Sequence, residues 1–150
     1  MKLRFAAALA LTLASSALAQ TADLSTATPI AGSWAYSSNA SGSEASFVNA
    51  SAIPQLTIRC TLATRRVTIA KPATGAAPFL NVWTSAMTRN LPSSFNPATM
   101  RLSADVMAAD PLLDAIVFSR GRFGVSVGMQ PALVLPAWAE PQRVIEDCRG

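Results

Sequence analysis

The chain has 150 residues, with 12 Lys and Arg against 8 Asp and Glu and no histidine, for a net charge of +4. Without histidine, His-based triads, the common zinc sites and the usual general base near neutral pH are excluded. The basic residues are scattered and accompanied by a single Tyr and six Phe, so the basic-patch-plus-aromatic pattern of a nucleic-acid binder is missing and no nucleic-acid partner is expected.

Residues 1–19 carry Lys2 and Arg4, then an Ala/Leu run ending in Ala17-Leu18-Ala19. This reads as a secretory signal peptide with an A-x-A cleavage site. The apolar run is too short for a membrane span, and no cysteine follows the cleavage site to carry a lipid. Periplasmic or secreted localisation follows, with no membrane span after signal removal. Cleavage leaves ten basic residues against eight acidic ones.

Residues 20–33 read as a flexible leader and residues 34–150 as a single β-rich domain, with order beginning near Trp34. Trp34-Ala35-Tyr36 and Ala45-Ser46-Phe47-Val48 suggest two short strands joined by a Ser/Gly turn. In "PQLTIRCTL", Leu56, Ile58, Cys60 and Leu62 alternate with polar residues, which marks a strand with one buried side and turns Cys60 inward. "TRRVTIAK" repeats the alternation with Val67 and Ile69, forming a hairpin with its predecessor. "FLNVWTS" is apolar on both faces and suits a central strand. "TRNLPSSFNP" reads as a loop or short edge strand. "ATMRLSADV" reads as a strand with Met100, Leu102 and Ala104 inward.

In "DPLLDAIVFSRGRFGVSV", Asp110 is an N-cap, Pro111 fits the first helical turn, and Leu112, Leu113, Ile116 and Val117 form an apolar stripe. Gly121 suits the left-handed residue that ends such a helix. "RFGVSVG" and "ALVLP" then form a hairpin. The final "AEPQRVIEDCR" predicts a short helix with Pro141 near its first position and Val144, Ile145 and Cys148 on one face. In it, Arg143 can reach Glu146 and Asp147. About seven or eight short antiparallel strands with two short helices indicate a mainly β fold, a small sandwich or partly open barrel. Cys60 and Cys148, in an exported chain, are expected to form a disulfide.

Ser119-Arg120-Gly121-Arg122 admits two readings. As a corner, Arg120 complements the helix end, Gly121 caps it, and one Arg pairs with Asp105, Asp114 or Asp147. As a ligand site, Arg120 and Arg122 bind a carboxylate or phosphate. The corner is the favoured reading. No catalytic residue is assigned. The carboxylates Asp110, Asp114, Glu140 and Glu146 are the candidates for an alternative activity, a hydrolase or lyase of envelope glycans. Trp34, Trp83 and Trp138 serve equally as a sugar-binding face or as core anchors. No glycine motif for a phosphate and no metal-ligand set is present, so neither cofactor nor metal is expected.

Trp34, "IRC" at 58–60, "DPLLDAIVFSRGRF" at 110–123, "LPAWAE" at 135–140 and "VIEDCR" at 144–149 resemble a group of uncharacterised signal-peptide-bearing alphaproteobacterial proteins. More distantly, the order of strands, late hairpin and terminal helix is similar to the invasion-associated locus B family of exported β proteins, which has more cysteines. Neither resemblance implies an activity or a functional residue. The leading expectation is a non-enzymatic exported domain that binds an envelope protein or glycan. A further alternative is a small inhibitor of an envelope enzyme, acting through an exposed loop at residues 90–97.

Overall fold

A computed structural model describes residues 23–128 and 130–150. The expected signal peptide, residues 1–19, lies outside them. Ten strands and two helices follow one another among the described residues. Five strands come first: β1 (Ser33–Asn39), β2 (Gly42–Val48), β3 (Pro54–Thr61), β4 (Arg66–Pro72) and β5 (Phe79–Trp83). Then come β6 (Thr88–Pro92), β7 (Ser94–Asn96), β8 (Arg101–Met107), α1 (Pro111–Val117), β9 (Arg122–Val127), β10 (Leu133–Pro136) and α2 (Ala139–Arg149).

The strands form two antiparallel sheets, one ordered β1-β2-β3-β4-β8-β7 and the other β10-β9-β5-β6. Neither closes on itself, so the architecture is the sandwich rather than the barrel. Alternation builds the core directly. Ala45, Ile58, Ile69 and Ala104 lie opposite one another across β2, β3, β4 and β8, as do Cys60, Val67 and Val106 across β3, β4 and β8. All of these are buried. Because side chains alternate with period two, this register puts the apolar row on one face and Thr57, Arg59 and Thr68 on the other. In the second sheet Leu80 faces Leu91 and Val127, while Val82 faces Val125. Strand β5 is central, as its two-sided apolarity suggests, although Phe79 remains exposed.

The segment 88–97 is neither a loop nor one edge strand. It supplies β6 to the second sheet and β7 to the first, turning between them at Ser93, whose amide donates to Pro78 O and whose hydroxyl donates to Ala77 O. This crossing brings the strand count to ten. Within it Leu91 is buried and Phe95 packs against the core, while Asn90, Pro92, Ser94, Asn96 and Pro97 stay exposed.

At the opposite side of the sandwich Trp34 joins the sheets. It is 7% exposed, packs edge-on against Phe47 at 5.3 Å and stacks near Phe123 at 6.3 Å. Its Nε1 donates to Pro136 O over 3.0 Å, satisfying the one polar atom of an otherwise apolar anchor.

Helix α2 presses Val144, Ile145 and Cys148 onto the six-stranded sheet, and a disulfide joins Cys60 to Cys148 with a Cα–Cα distance of 5.4 Å. Asp110 caps α1 by accepting from the Leu112 amide at 2.9 Å. Leu112, Leu113 and Ile116 are buried, with Val117 only half-buried.

Several local expectations are corrected. Met100 does not point inward: it sits in the turn before β8 with φ 51° and is 48% exposed. Gly121 does adopt a left-handed φ of 76°, but α1 has already ended at Val117 with Phe118 as its cap, so the glycine turns the chain into β9. Pro141 is the third residue of α2, within its first turn as expected. Arg143 lies over the Tyr36 ring, 4.2 Å from its centroid, instead of pairing along the helix. Glu146 accepts from Gln142, and Asp147 accepts from the Tyr36 hydroxyl at 2.6 Å.

Residues 23–32, in the expected leader, contain no strand or helix, yet they run along the second sheet. The Ile30 amide donates to Val134 O at 2.9 Å, and Leu24 packs closely over Gly124.

Candidate functional site

The corner at 119–122 is held by hydroxyls. Ser119, 4% exposed, accepts from the Ser85 amide at 3.0 Å and donates to Arg122 O. The Arg120 amide donates to the Ser85 hydroxyl at 3.2 Å. Ser85 belongs to the turn between β5 and β6, which Thr84 stiffens: its hydroxyl accepts from the Ala86 and Met87 amides and donates to Met87 O. A Thr side chain that replaces water around a turn in this way orders the backbone without a ligand.

Between this turn, the corner and residues 23–25 lies a cleft of about 460 Å³. Trp83, Thr84, Ser85, Arg120, Arg122 and Asp23 all line it. Arg122 is half-buried, its Nη1 donating to Ala27 O while its buried Nε meets no partner among the described residues. A guanidinium offers five donors in a planar fork, so Arg122 retains donor capacity beyond its bond to the main chain. Arg120 is exposed.

The corner reading required an internal carboxylate, and none serves. Asp105 accepts from the Thr68 hydroxyl at 2.5 Å, Asp114 pairs with Arg149 at 2.8 Å, and Asp147 is bound to Tyr36. Among the described residues neither Arg120 nor Arg122 lies within 4.0 Å of a carboxylate oxygen. Asp23 shares the cleft; the Ser25 amide, at 2.9 Å, and hydroxyl hold its carboxyl below the ordinary value of 3.8. The cleft therefore presents two cations and one anion from its lining.

The candidate catalytic carboxylates are not among the residues lining this cleft. Asp110 is engaged by the helix cap and by Arg89, Asp114 by Arg149, and Glu146 by Gln142. Arg149 also donates from Nε to Ala108 O at 2.9 Å, tying α2 to the start of α1. The tryptophans do not form one face: Trp34 is core, Trp138 is 50% exposed beside α2, and Trp83 alone lines the cleft. Among the described residues no group of His, Cys, Asp and Glu is placed to hold a metal, and no helix is long and apolar enough to cross a membrane.

Sequence reasoning located Arg120 and Arg122 but missed Asp23, Trp83 and the turn at 84–87 as their neighbours. "WTSAMT" carries a turn signal in Thr84-Ser85, but nothing in it points to a corner some 35 residues downstream. Comparison of the chain with protein-family models, with curated proteins and with solved structures returns no match.

Proposed function

We propose that this chain is an exported, non-enzymatic binding domain of the bacterial envelope, and that its ligand is an acidic glycan received in the cleft. The observation that carries this reading is the placement of Arg120 and Arg122 on the lining of a cleft shared with Trp83, without a carboxylate partner. Guanidiniums recognise carboxylate, sulfate and phosphate through forked hydrogen bonds, and an indole offers its apolar face to a sugar ring. Ser and Thr hydroxyls beside them supply adaptable polar contacts.

Export is supported by the signal-like residues 1–19 and by a disulfide, which persists in oxidising compartments. A binding role is favoured over hydrolysis because none of Asp110, Asp114, Glu140 and Glu146 lines the cleft, and Asp110 is engaged in capping α1. An envelope protein carrying an acidic segment is the second reading, and the same arginines favour it.

Isothermal titration of the mature oxidised chain with uronic-acid oligosaccharides, beside neutral oligosaccharides of equal length, tests the proposal. Binding of the acidic series alone, weakening as salt is raised, is expected. Equal binding of both series, or of neither, contradicts it.

A further inference from the structure

Sheets expose four edges here, and three of them are blunted. Strand β7 is three residues long. Strand β6 carries Arg89 and ends at Pro92. Strand β10 has four residues, ends at Pro136, and has Val134 O occupied by the Ile30 amide. Short length, charge, proline and covering segments are the usual devices that keep a sheet edge from recruiting another strand.

Among the described residues strand β1 has none of them. Its seven residues, "SWAYSSN", contain no charge and no proline, and their register with β2 is unbroken from Ser33 to Asn39. The turn connecting the two strands has two residues, because Asn39 is opposite Gly42. The closing pair of such a hairpin exchanges both hydrogen bonds, so Asn39, Ser37, Ala35 and Ser33 bond to β2. The amides and carbonyls of Trp34, Tyr36 and Ser38 therefore point away from the sheet. Among the described residues none of them meets a backbone partner.

We propose that β1 is the interface of a homodimer, in which two copies pair antiparallel about a two-fold axis at Tyr36 to form one continuous sheet. The register of the strand allows this occupant. With Tyr36 opposite its own symmetry mate, Trp34 lies opposite Ser38 of the second copy, so every outward-pointing residue meets another outward-pointing residue. An isologous contact of this kind is the commonest closed symmetry. Side chains pose no obstacle on the outer face, where Ala35 lies opposite Ser37 of the second copy; both are small and exposed. Beside the axis, each copy brings Arg143 over its Tyr36 ring and Asp147 against its Tyr36 hydroxyl. Opposite charges are thus available to face one another across the axis. The far edge, β7, is too short to continue the sheet, so assembly closes at two copies. This inference is independent of the cleft.

Sedimentation velocity on the oxidised mature chain, from about 1 µM to about 300 µM, tests the dimer. The parent is expected to pass from monomer to dimer within that range. Ala35 and Ser37 of opposite copies form a non-hydrogen-bonded pair, where side chains lie closest. The double variant Ala35→Lys with Ser37→Lys sets like charges against each other and should raise the dissociation constant at least about tenfold. Ala35→Lys with Ser37→Glu places opposite charges at the same positions and should keep the dimer. A parent that stays monomeric throughout overturns the proposal, as does equal dimerisation, strong or absent, in the two variants.

Discussion

The Ser85 amide donates to the Ser119 hydroxyl at 3.0 Å while the Arg120 amide donates to the Ser85 hydroxyl at 3.2 Å. This exchange clamps the corner after α1 to the turn between β5 and β6, and so fixes one wall of the cleft. Ser119→Ala leaves the Ser85 amide and Arg122 O without that hydroxyl. Because Ser119 is buried, the loss should lower unfolding free energy by about 1–3 kcal/mol in urea titrations. An unchanged midpoint would mean that the clamp contributes nothing to the fold.

The disulfide holds α2 to β3 across a sequence separation of 88. In the chain-entropy account, replacing both Cys60 and Cys148 by Ala should lower stability by about 4.6 kcal/mol. Equilibrium unfolding of the variant and the oxidised parent measures the difference. A deficit under about 1 kcal/mol would show that packing of Val144 and Ile145 holds the helix without the bond.

Tyr36 and Asp147 make stability depend on pH. The Tyr36 hydroxyl is the main cause holding the Asp147 carboxyl below its ordinary value of 3.8. A carboxyl depressed in the folded state stabilises the fold above its unfolded pKa and loses that contribution as pH falls through the lowered, folded value. Tyr36→Phe should therefore cost about 0.5–1 kcal/mol at neutral pH, a modest figure because Asp147 is largely solvated. The cost should vanish in acid, where parent and variant converge. Denaturation at a series of pH values measures it, and a constant difference down to the lowest pH would contradict the assignment.

How far the sequence disclosed this arrangement depends on whether a pattern was local. Leu56, Ile58 and Cys60 alternate within one strand, and Val144, Ile145 and Cys148 share one helical face, so both cysteines could be directed inward and joined. Asp110-Pro111 announced α1 for the same reason. Met100 escaped because its alternation with Leu102 looks regular, whereas its left-handed backbone belongs to a turn that alternation does not encode. Of the cleft, Arg120 and Arg122 were legible as an anion site and Trp83 as a sugar-binding candidate, but not their meeting. Arg122 meets Ala27 across a sequence separation of 95, and residues 23–32 have no periodicity from which their path could be read. Segment 88–97 was read as a single element because Pro92-Ser93 signals a break without saying that the chain changes sheets.

On the proposed reading, Asp23 opposes an anionic ligand. Its carboxyl stays ionised because the Ser25 amide and hydroxyl favour the charged form, and it lines the same cleft as Arg120 and Arg122. Asp23→Asn should tighten binding of sulfate or a uronic acid by about twofold to fivefold at low salt, less as salt screens the charge. Calorimetric titration of both proteins checks this. Weaker binding by the variant would make Asp23 a ligand contact instead of a competitor.

Thermal melting with and without sulfate, phosphate and glucuronate, in the parent, Arg120→Gln and Arg122→Gln, tests the anion site most directly. Arg122 also donates to Ala27 O, so its variant should melt lower even without anions; Arg120 is exposed and carries no ion pair, so its variant should melt like the parent. Saturating anion should raise the parent melt, by the equivalent of about 2.7 kcal/mol at a hundredfold excess over the dissociation constant. Either substitution should abolish that rise. A parent melt that does not respond to any of these anions, with both variants melting lower regardless of anion, would contradict the account and leave the two arginines with a purely structural role.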